Sequence, residues 1–247
     1  MRKVIDQLIL EVHPDRYSAG RAAGTAAAER LKTVLAEKGK ARVIFAAAPS
    51  QNETLETLAT TSGIDWNKVT AFHMDEYIGL ADDAPERFSF YLKTHIFDQC
   101  PFGEIHLLAG NNPQHLCEDY AQKLIAEPID LVCMGIGENG HIAFNDPPVA
   151  DFNDPQLVKI VELDDICRQQ QVHDGCFPNL DAVPKRAVTL TVPALMSGGC
   201  LICTVPGQRK AVALHRMISG NISTECPATI LRTHKNCTVF TDQFVVS

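Results

Sequence analysis

Apolar positions along the chain fall into two alternating rhythms, short continuous runs and longer stretches spaced three or four apart. Residues 22–35, rich in Ala, Glu, Lys and Leu, predict a helix. Residues 42–48 form a short apolar run read as a strand, and residues 52–59 carry Leu55 and Leu58 at helical spacing. Residues 68–73 predict a second strand, ending at Met74-Asp75-Glu76-Tyr77, and residues 88–97 hold aromatic side chains at helical spacing. A short strand over 105–108 and an amphipathic helix over 115–125 follow. Residues 129–136 are almost unbroken in their apolar character, which suits a parallel strand covered on both faces. Residues 187–192 alternate Val and Leu with Thr as a strand does. Residues 200–205 are a further strand, followed by the turn Pro206-Gly207, a helix over 208–218 and a last strand over 238–241.

Strand and helix therefore alternate from end to end. That pattern predicts an α/β fold, a doubly wound and mostly parallel sheet with helices on both faces, a modified Rossmann-like architecture. No linker, repeat or low-complexity tract divides it, so residues 1–247 are expected to form one domain. In such sheets a ligand lies beyond the carboxyl ends of the strands. The loops to inspect follow Ala48, His73, Ile136 and Val205.

Composition narrows the function classes. The 247 residues are 45% hydrophobic and 21% charged, enough for a sizeable core. A net charge of -8 without a basic cluster argues against a nucleic-acid partner. No run is long and apolar enough for a membrane span, and the opening stretch, broken by Asp6 and Glu11, does not read as a signal peptide. Nine cysteines, an odd count, fit a reducing compartment, so a cytoplasmic protein is expected. The one CxxC pair, Cys200 and Cys203, sits in an apolar strand and reads as core rather than a redox or zinc pair.

Four loops carry candidate chemistry. Gly135-Ile136-Gly137-Glu138-Asn139-Gly140 matches G-x-G-x-x-G after a strand. A dinucleotide fingerprint opens a helix in the first βαβ unit. This one lies mid-chain and runs into His141-Ile142-Ala143-Phe144-Asn145-Asp146-Pro147, so it reads as a tight turn that brings a small ligand close to backbone N–H groups. His141, with Asp146 nearby, is suited to moving protons near neutral pH. Asp75 and Glu76 put two acids at another strand end, where mutual repulsion raises one pKa and suits a general base. His73 and Asp75 lack a third ligand at metal-site spacing, so no metal is expected. Gly207-Gln208-Arg209-Lys210 and Pro49-Ser50-Gln51-Asn52 each open a helix and offer N–H groups to an anion.

Two of these loops resemble a known family. Phe72-His73-Met74-Asp75-Glu76-Tyr77-Ile78-Gly79-Leu80 is similar to the F-N-M-D-E-Y-x-G-L signature of glucosamine-6-phosphate deaminases. Gly137-Glu138-Asn139-Gly140-His141-Ile142-Ala143-Phe144-Asn145-Asp146-Pro147 resembles their G-x-D/N-G-H-I-A-F-N-E-P. Likeness continues through Leu107-Leu108-Ala109-Gly110-Asn111, Val183-Pro184-Lys185 and Gly207-Gln208-Arg209-Lys210-Ala211. The resemblance implies conversion of glucosamine 6-phosphate, or a relative such as galactosamine 6-phosphate, to the ketose phosphate and ammonia, without cofactor. His141 would assist ring opening, and Asp75 would carry a proton from C2 to C1 through an enediol-type intermediate. Asp146 would orient His141, Glu76 would line the site, and Asn139 stands where the family often has an acid two residues before the His and is carried over with the catalytic set.

Ser50, Ala48, Gly140 and Lys210 would contact substrate and its phosphate. The family's mid-chain Arg falls near Val172-His173, so Arg168 or His173 is expected in its place. The phosphate loop, usually T-G-G-T/S-P, is Ala47-Ala48-Pro49-Ser50 here, with both glycines gone. The family Glu before the proline is Asp146. A homo-oligomer is expected by likeness. The alternative is a sugar-phosphate lactone hydrolase of the 6-phosphogluconolactonase kind, in which His141 activates water and Asp75 need not matter.

Overall fold

A computed structural model describes residues 1–110 and 112–243. Asn111, part of the Leu107-Leu108-Ala109-Gly110-Asn111 likeness, lies outside the described residues. In chain order the strands are β1 (Arg2–Ile5), β2 (Leu8–His13), β3 (Ala41–Phe45), β4 (Val69–His73), β5 (Asp75–Tyr77), β6 (Glu104–His106), β7 (Leu131–Met134), β8 (Val158–Glu162), β9 (Arg186–Leu190), β10 (Leu201–Val205) and β11 (Cys237–Asp242). The α-helices are α1 (Arg16–Lys38), α2 (Asn52–Thr60), α3 (Phe88–Leu92), α4 (Pro113–Ile125), α5 (Asp165–His173), α6 (Val192–Met196) and α7 (Ala211–Ser219).

Eight strands form one sheet in the order β1-β2-β11-β10-β7-β3-β4-β6. All its pairings are parallel except the β1–β2 hairpin. Successive side chains of β3 and β7 go to opposite faces, as a period of two requires. Ile44, Val132 and Met134 join a core with Tyr120 of α4 and Leu214 of α7. Val43, Phe45, Leu131 and Cys133 join a second core with Ala27 and Leu31 of α1 and Leu55 of α2. Two apolar layers, one on each face, explain the unbroken apolar runs of the central strands.

Helix α1 meets the sheet through small side chains: Ala19, Ala23, Ala27 and Ala28 are all inaccessible to solvent. Asp15 caps its start by accepting the Ser18 amide at 2.7 Å. Gly39, at φ 72°, ends it in the left-handed conformation.

Three elements differ from the sequence reading. Residues 187–192 were expected beside the other strands. Instead β9 is the centre of a separate antiparallel sheet, β5-β9-β8. The residues 208–218 start as a 3-10 turn, Gln208–Lys210, before α7. The aromatic stretch splits into α3 and a π turn, Lys93–Phe97. No helix among the described residues is long and apolar enough to cross a membrane.

The chain winds β3, β4, β6 to one side and then returns to place β7 on the other side of β3. That reversal opens a crevice between the loops after β3 and β7, where a ligand is best placed in a doubly wound sheet.

His73 closes β4 in complete burial. Burial pushes its ring down to about 4, against a partial upward pull from Glu76 and a further downward push from Arg87. A ring that prefers to stay neutral in the folded state loses stability when the unfolded chain can protonate. The loss begins as pH falls below roughly 6.5 and is complete near 4, amounting to about 3 kcal/mol. Urea midpoints should therefore fall across that window in the wild type. His73→Asn should flatten that part of the slope, and an unchanged slope would refute the assignment.

Candidate active site

Four loops at the carboxyl ends of the strands surround a cleft of about 440 Å³. Its wall includes Ala46–Gln51 after β3, Met74 and Asp75 after β4, Gly135 and Ile136 after β7, and Pro206–Lys210 after β10. His141, Ala143 and Phe144 complete one side, and Phe88 stacks on Phe144 with ring centroids 5.4 Å apart. Asp75 and His141, 66 positions apart in the chain, thus face one sugar-sized space.

Asp75 accepts no protein hydrogen bond among the described residues. Burial, and then the charge of Glu76, push its carboxyl well above the usual carboxylate range. Glu76 itself does not line the cleft. Consecutive strand residues point to opposite faces, so Glu76 turns to the back of β5. There its Oε1 accepts the Tyr77 and Phe88 amides at 3.0 and 3.1 Å, and its Oε2 accepts the Ser89 amide at 2.9 Å. Arg87 Nε is 3.5 Å away. Glu76 is the anion at the start of α3 and acts on Asp75 through its field alone.

The glycine turn builds the histidine. Gly137 lies against the His141 ring so closely that a Cβ there would sit 2.1 Å from Cε1. Gly140, at φ 85°, closes the turn through its amide to the Gly137 carbonyl at 3.0 Å, and its own carbonyl accepts the Ala228 amide at 2.8 Å. Those bonds keep Gly140 behind the cleft wall, so the structure does not place it as the substrate contact expected from the sequence.

His141 Nδ1 lies 2.9 Å from Asp146 Oδ1, an ion-pair distance, with the ring turned off the ideal hydrogen-bond line. Asn139 donates to the same Asp146 oxygen at 3.0 Å and accepts the His141 amide at 3.0 Å. Burial alone would raise the Asp146 carboxyl. The His141 ring and the donors Asn139 and Asp164 outweigh it and hold the group below its ordinary value. Asp146 is therefore anionic and fixed behind the ring. The short Asp in place of Glu suffices for contact.

Ala143 follows at φ 48°, an unusual conformation for a side chain other than glycine. Asn145 Nδ2 holds that turn by donating to the Ile142 and Leu190 carbonyls at 2.9 and 2.8 Å. The turn leads into an irregular loop rather than a helix, which is not how a dinucleotide fingerprint continues.

Cys167 Sγ, with the His141 and Asp146 ligand atoms, forms a trio lying within 4.8 Å. Burial pushes that thiol well above its usual value. A protonated thiol is a poor metal ligand, and the trio reads as packing beneath the Asp146–His141 contact.

Cations line the same cleft. Lys210 is buried, and its side-chain ammonium makes no hydrogen bond or ion pair among the described residues. Burial lowers its ammonium, with Asp174 and Glu138 pulling it partly back. Ser50 and Ala48 face it from the β3 loop. Gln51 Nε2 donates to Ser50 Oγ and to the Met134 carbonyl, both at 3.2 Å, which ties that loop to β7.

Arg168 and His173 are not brought to this cleft. Arg168 donates to Asp165 and to the Leu180 and Val183 carbonyls at 2.8, 2.7 and 3.1 Å, so it braces the segment after α5. His173 is exposed beside Glu138 at 3.5 Å. The cleft face of α5 carries Gln170, Gln171 and Asp174 instead, and Arg16 and Arg209 supply the guanidinium groups. Sequence reading passed over Gln170, Gln171, Asp174 and Arg16, which lie outside the recognisable loops, while Arg209 stood in the loop over 207–210 beside Lys210, the residue that reading chose.

The family's sequence model, described as glucosamine-6-phosphate isomerases/6-phosphogluconolactonase, matches residues 14–240. The chain belongs to the glucosamine-6-phosphate isomerase/6-phosphogluconolactonase family. A glucosamine-6-phosphate deaminase of Bacillus cereus (strain B4264) is 34% identical over 186 residues, spanning 74% of this chain and 69% of that protein. A solved monomeric glucosamine-6-phosphate deaminase superposes with a TM-score of 0.87 at 27% identity, over 96% of this chain and 98% of the other. A 6-phosphogluconolactonase of Thermotoga maritima matches with a TM-score of 0.77 over 96% and 100%. At 20% identity that is a likeness of fold. The α/β doubly wound architecture expected from the alternation is thus the family's own.

Proposed function

We propose that this protein is an amino-sugar-phosphate deaminase. It converts glucosamine 6-phosphate, or its C4 epimer galactosamine 6-phosphate, to the ketose 6-phosphate and ammonia. One observation carries the reading: a buried, proton-avid carboxyl (Asp75) and a carboxylate-backed imidazole (His141) face one cleft that Arg16, Arg209 and Lys210 also line.

The chemistry follows from those groups. His141 shuttles the proton from the O1 hydroxyl to the ring oxygen, which opens the pyranose. Asp146 lies against its Nδ1, and Asn139 holds both the Asp146 carboxylate and the His141 backbone amide, so the ring is positioned. Asp75 then takes the proton from C2 and returns it to C1. The electron pair passes through an enolamine, in which O1 has gained the proton that the ammonium gives up, and protonation at C1 leaves an iminium at C2. Water adds to that carbon, the C–N bond breaks, and ammonia departs with a proton from water. A carboxyl held well above the usual carboxylate range keeps a proton long enough to carry it between two carbons. Phe88 and Phe144 present an apolar wall that keeps the intermediate from bulk water.

Lys210, Ser50 and the amides opening the β3 and β10 loops hold the 6-phosphate. The Bacillus cereus relative bears the name of this reaction, which supports the assignment. Ammonia release should be screened over glucosamine, galactosamine and mannosamine 6-phosphates. Turnover of at least one is expected, and ammonia from none would defeat the proposal. Binding without turnover would instead mark a sensor on the same fold.

A further inference from the structure

The phosphate end of the cleft has lost donors and gained one. The loop Ala47-Ala48-Pro49-Ser50 lacks the glycines of the family pattern, and Pro49 has no N–H to offer. Neither Arg168 nor His173 reaches the cleft. Three cations line it: Arg209, Lys210 and Arg16. Arg209 is largely exposed and spends Nη1 on the His173 carbonyl at 2.7 Å. Lys210 is a buried, unpaired ammonium.

Arg16 comes from a third direction, the first residue of α1 beyond β2. Glu53 of α2 grips it on one edge, with Nε to Oε1 at 2.8 Å and Nη2 to Oε2 at 3.0 Å. Nη2 also donates to the Pro49 carbonyl at 2.9 Å. A guanidinium is planar, so fixing Nε and Nη2 fixes Nη1. Nη1 has no protein partner among the described residues.

We infer that Arg16 is the phosphate-specificity residue of this cleft, its free Nη1 edge closing on the phosphate that Lys210 and the Ser50 loop hold. The inference rests on the sugar-phosphate reading above and adds a residue to it. Glu53 preorganises the fork, and the Nη2 bond to the Pro49 carbonyl ties it to the very loop that lost its glycines, so one side chain stands in where backbone donors are missing. Charge gives the arrangement a signature. The Arg16–Glu53 pair is neutral. Removing Arg16 leaves a bare carboxylate next to the anion, and removing the Glu53 charge leaves a bare guanidinium there. A merely structural pair would respond alike to both losses; a phosphate clamp responds in opposite directions.

The test is calorimetric titration of the full chain with inorganic phosphate, on wild type, Arg16→Gln, Arg16→Lys and Glu53→Gln, with Michaelis constants for the hexosamine phosphate that is turned over. Arg16→Gln should weaken phosphate about 10- to 100-fold, the scale of lost charge-assisted hydrogen bonds, with the kinetic loss falling mainly on KM. Arg16→Lys should recover only part of it, because an ammonium lacks the fork. Glu53→Gln should bind as tightly as wild type or a few-fold tighter.

Equal weakening by Arg16→Gln and Glu53→Gln overturns the clamp, as does an Arg16→Gln affinity within twofold of wild type or a wild type that binds no phosphate. If Arg16→Gln fails to fold, Glu53→Gln and Arg16→Lys decide by the same signs. Ammonia release with a phosphate affinity indifferent to Arg16 sinks this inference alone. Phosphate binding through Arg16 without ammonia release sinks the deaminase reading alone.

Discussion

Replacing Asp75 by Asn is expected to lower kcat for ammonia release by about 10²- to 10⁴-fold, the range that a positioned general base supplies. The change is nearly isosteric and removes only the ability to take a proton. Asp75 accepts no protein hydrogen bond that the amide would disturb, so unfolding midpoints should move little. The pH dependence gives a second handle with a definite sign. Asp75 must be ionised to accept the C2 proton, and burial and Glu76 hold its pKa well above the usual carboxylate range. The acid limb of kcat/KM should therefore lie at higher pH than an ordinary carboxylate near 3.9 would give. Glu76→Gln removes a neighbouring negative charge. It should shift that limb toward lower pH without abolishing activity, because Glu76 never touches the cleft. A pH–rate profile of both variants checks this, and an Asp75→Asn enzyme within tenfold of wild type would defeat the assignment.

The same substitution separates the two reactions that the family name covers. Lactone hydrolysis needs an activated water, which His141 with Asp146 behind it can supply alone. An enzyme of that kind would keep most of its rate as Asp75→Asn and lose it as His141→Asn. A carbon-to-carbon proton transfer has no substitute for the carboxylate.

What the sequence revealed, and what it hid, follows from how each feature is encoded. The central parallel strands were legible because both faces are buried, which forces runs such as Leu131–Met134 to be apolar throughout. The β5-β9-β8 sheet was not. Its three-residue strand β5 carries Asp75 and Glu76, whose side chains serve chemistry and capping rather than core, and alternation in β9 does not say which sheet it joins. Helix α5 was invisible for a related reason: its buried face is Cys167, Arg168, Gln170 and Gln171, which is polar at helical spacing. His141, Asn139 and Asp146 were legible because one compact turn must be spelled out locally, and Asp75 because it sits in a second short signature at the end of β4. Arg16 was hidden because its partner Glu53 lies 37 positions away and nothing in the intervening chain marks the pairing. Arg168 misled for the opposite reason: one helical turn from the expected arginine, it aims at the Leu180 and Val183 carbonyls that follow the helix.

Gly137→Ala should cost about 10³-fold in kcat while leaving the fold intact. The backbone at Gly137 is not in the left-handed region, so a methyl group brings no conformational strain of its own. Its cost is entirely contact. The added carbon would lie 2.1 Å from Cε1 of His141 and 2.3 Å from each ring nitrogen. The ring must retreat by roughly 1 Å, which by itself is worth about 10²-fold when a reacting group is displaced. It must also leave the 2.9 Å contact with Asp146, which removes what positions it. Because the damage passes through one side chain, the effects should not add. His141→Asn alone and the double variant should be equally slow, whereas independent sites would multiply their losses. A steady-state comparison of the three variants decides it. Gly137→Ala activity within fivefold of wild type, or a double variant far slower than His141→Asn, would mean that the glycine serves something other than the seat of the histidine.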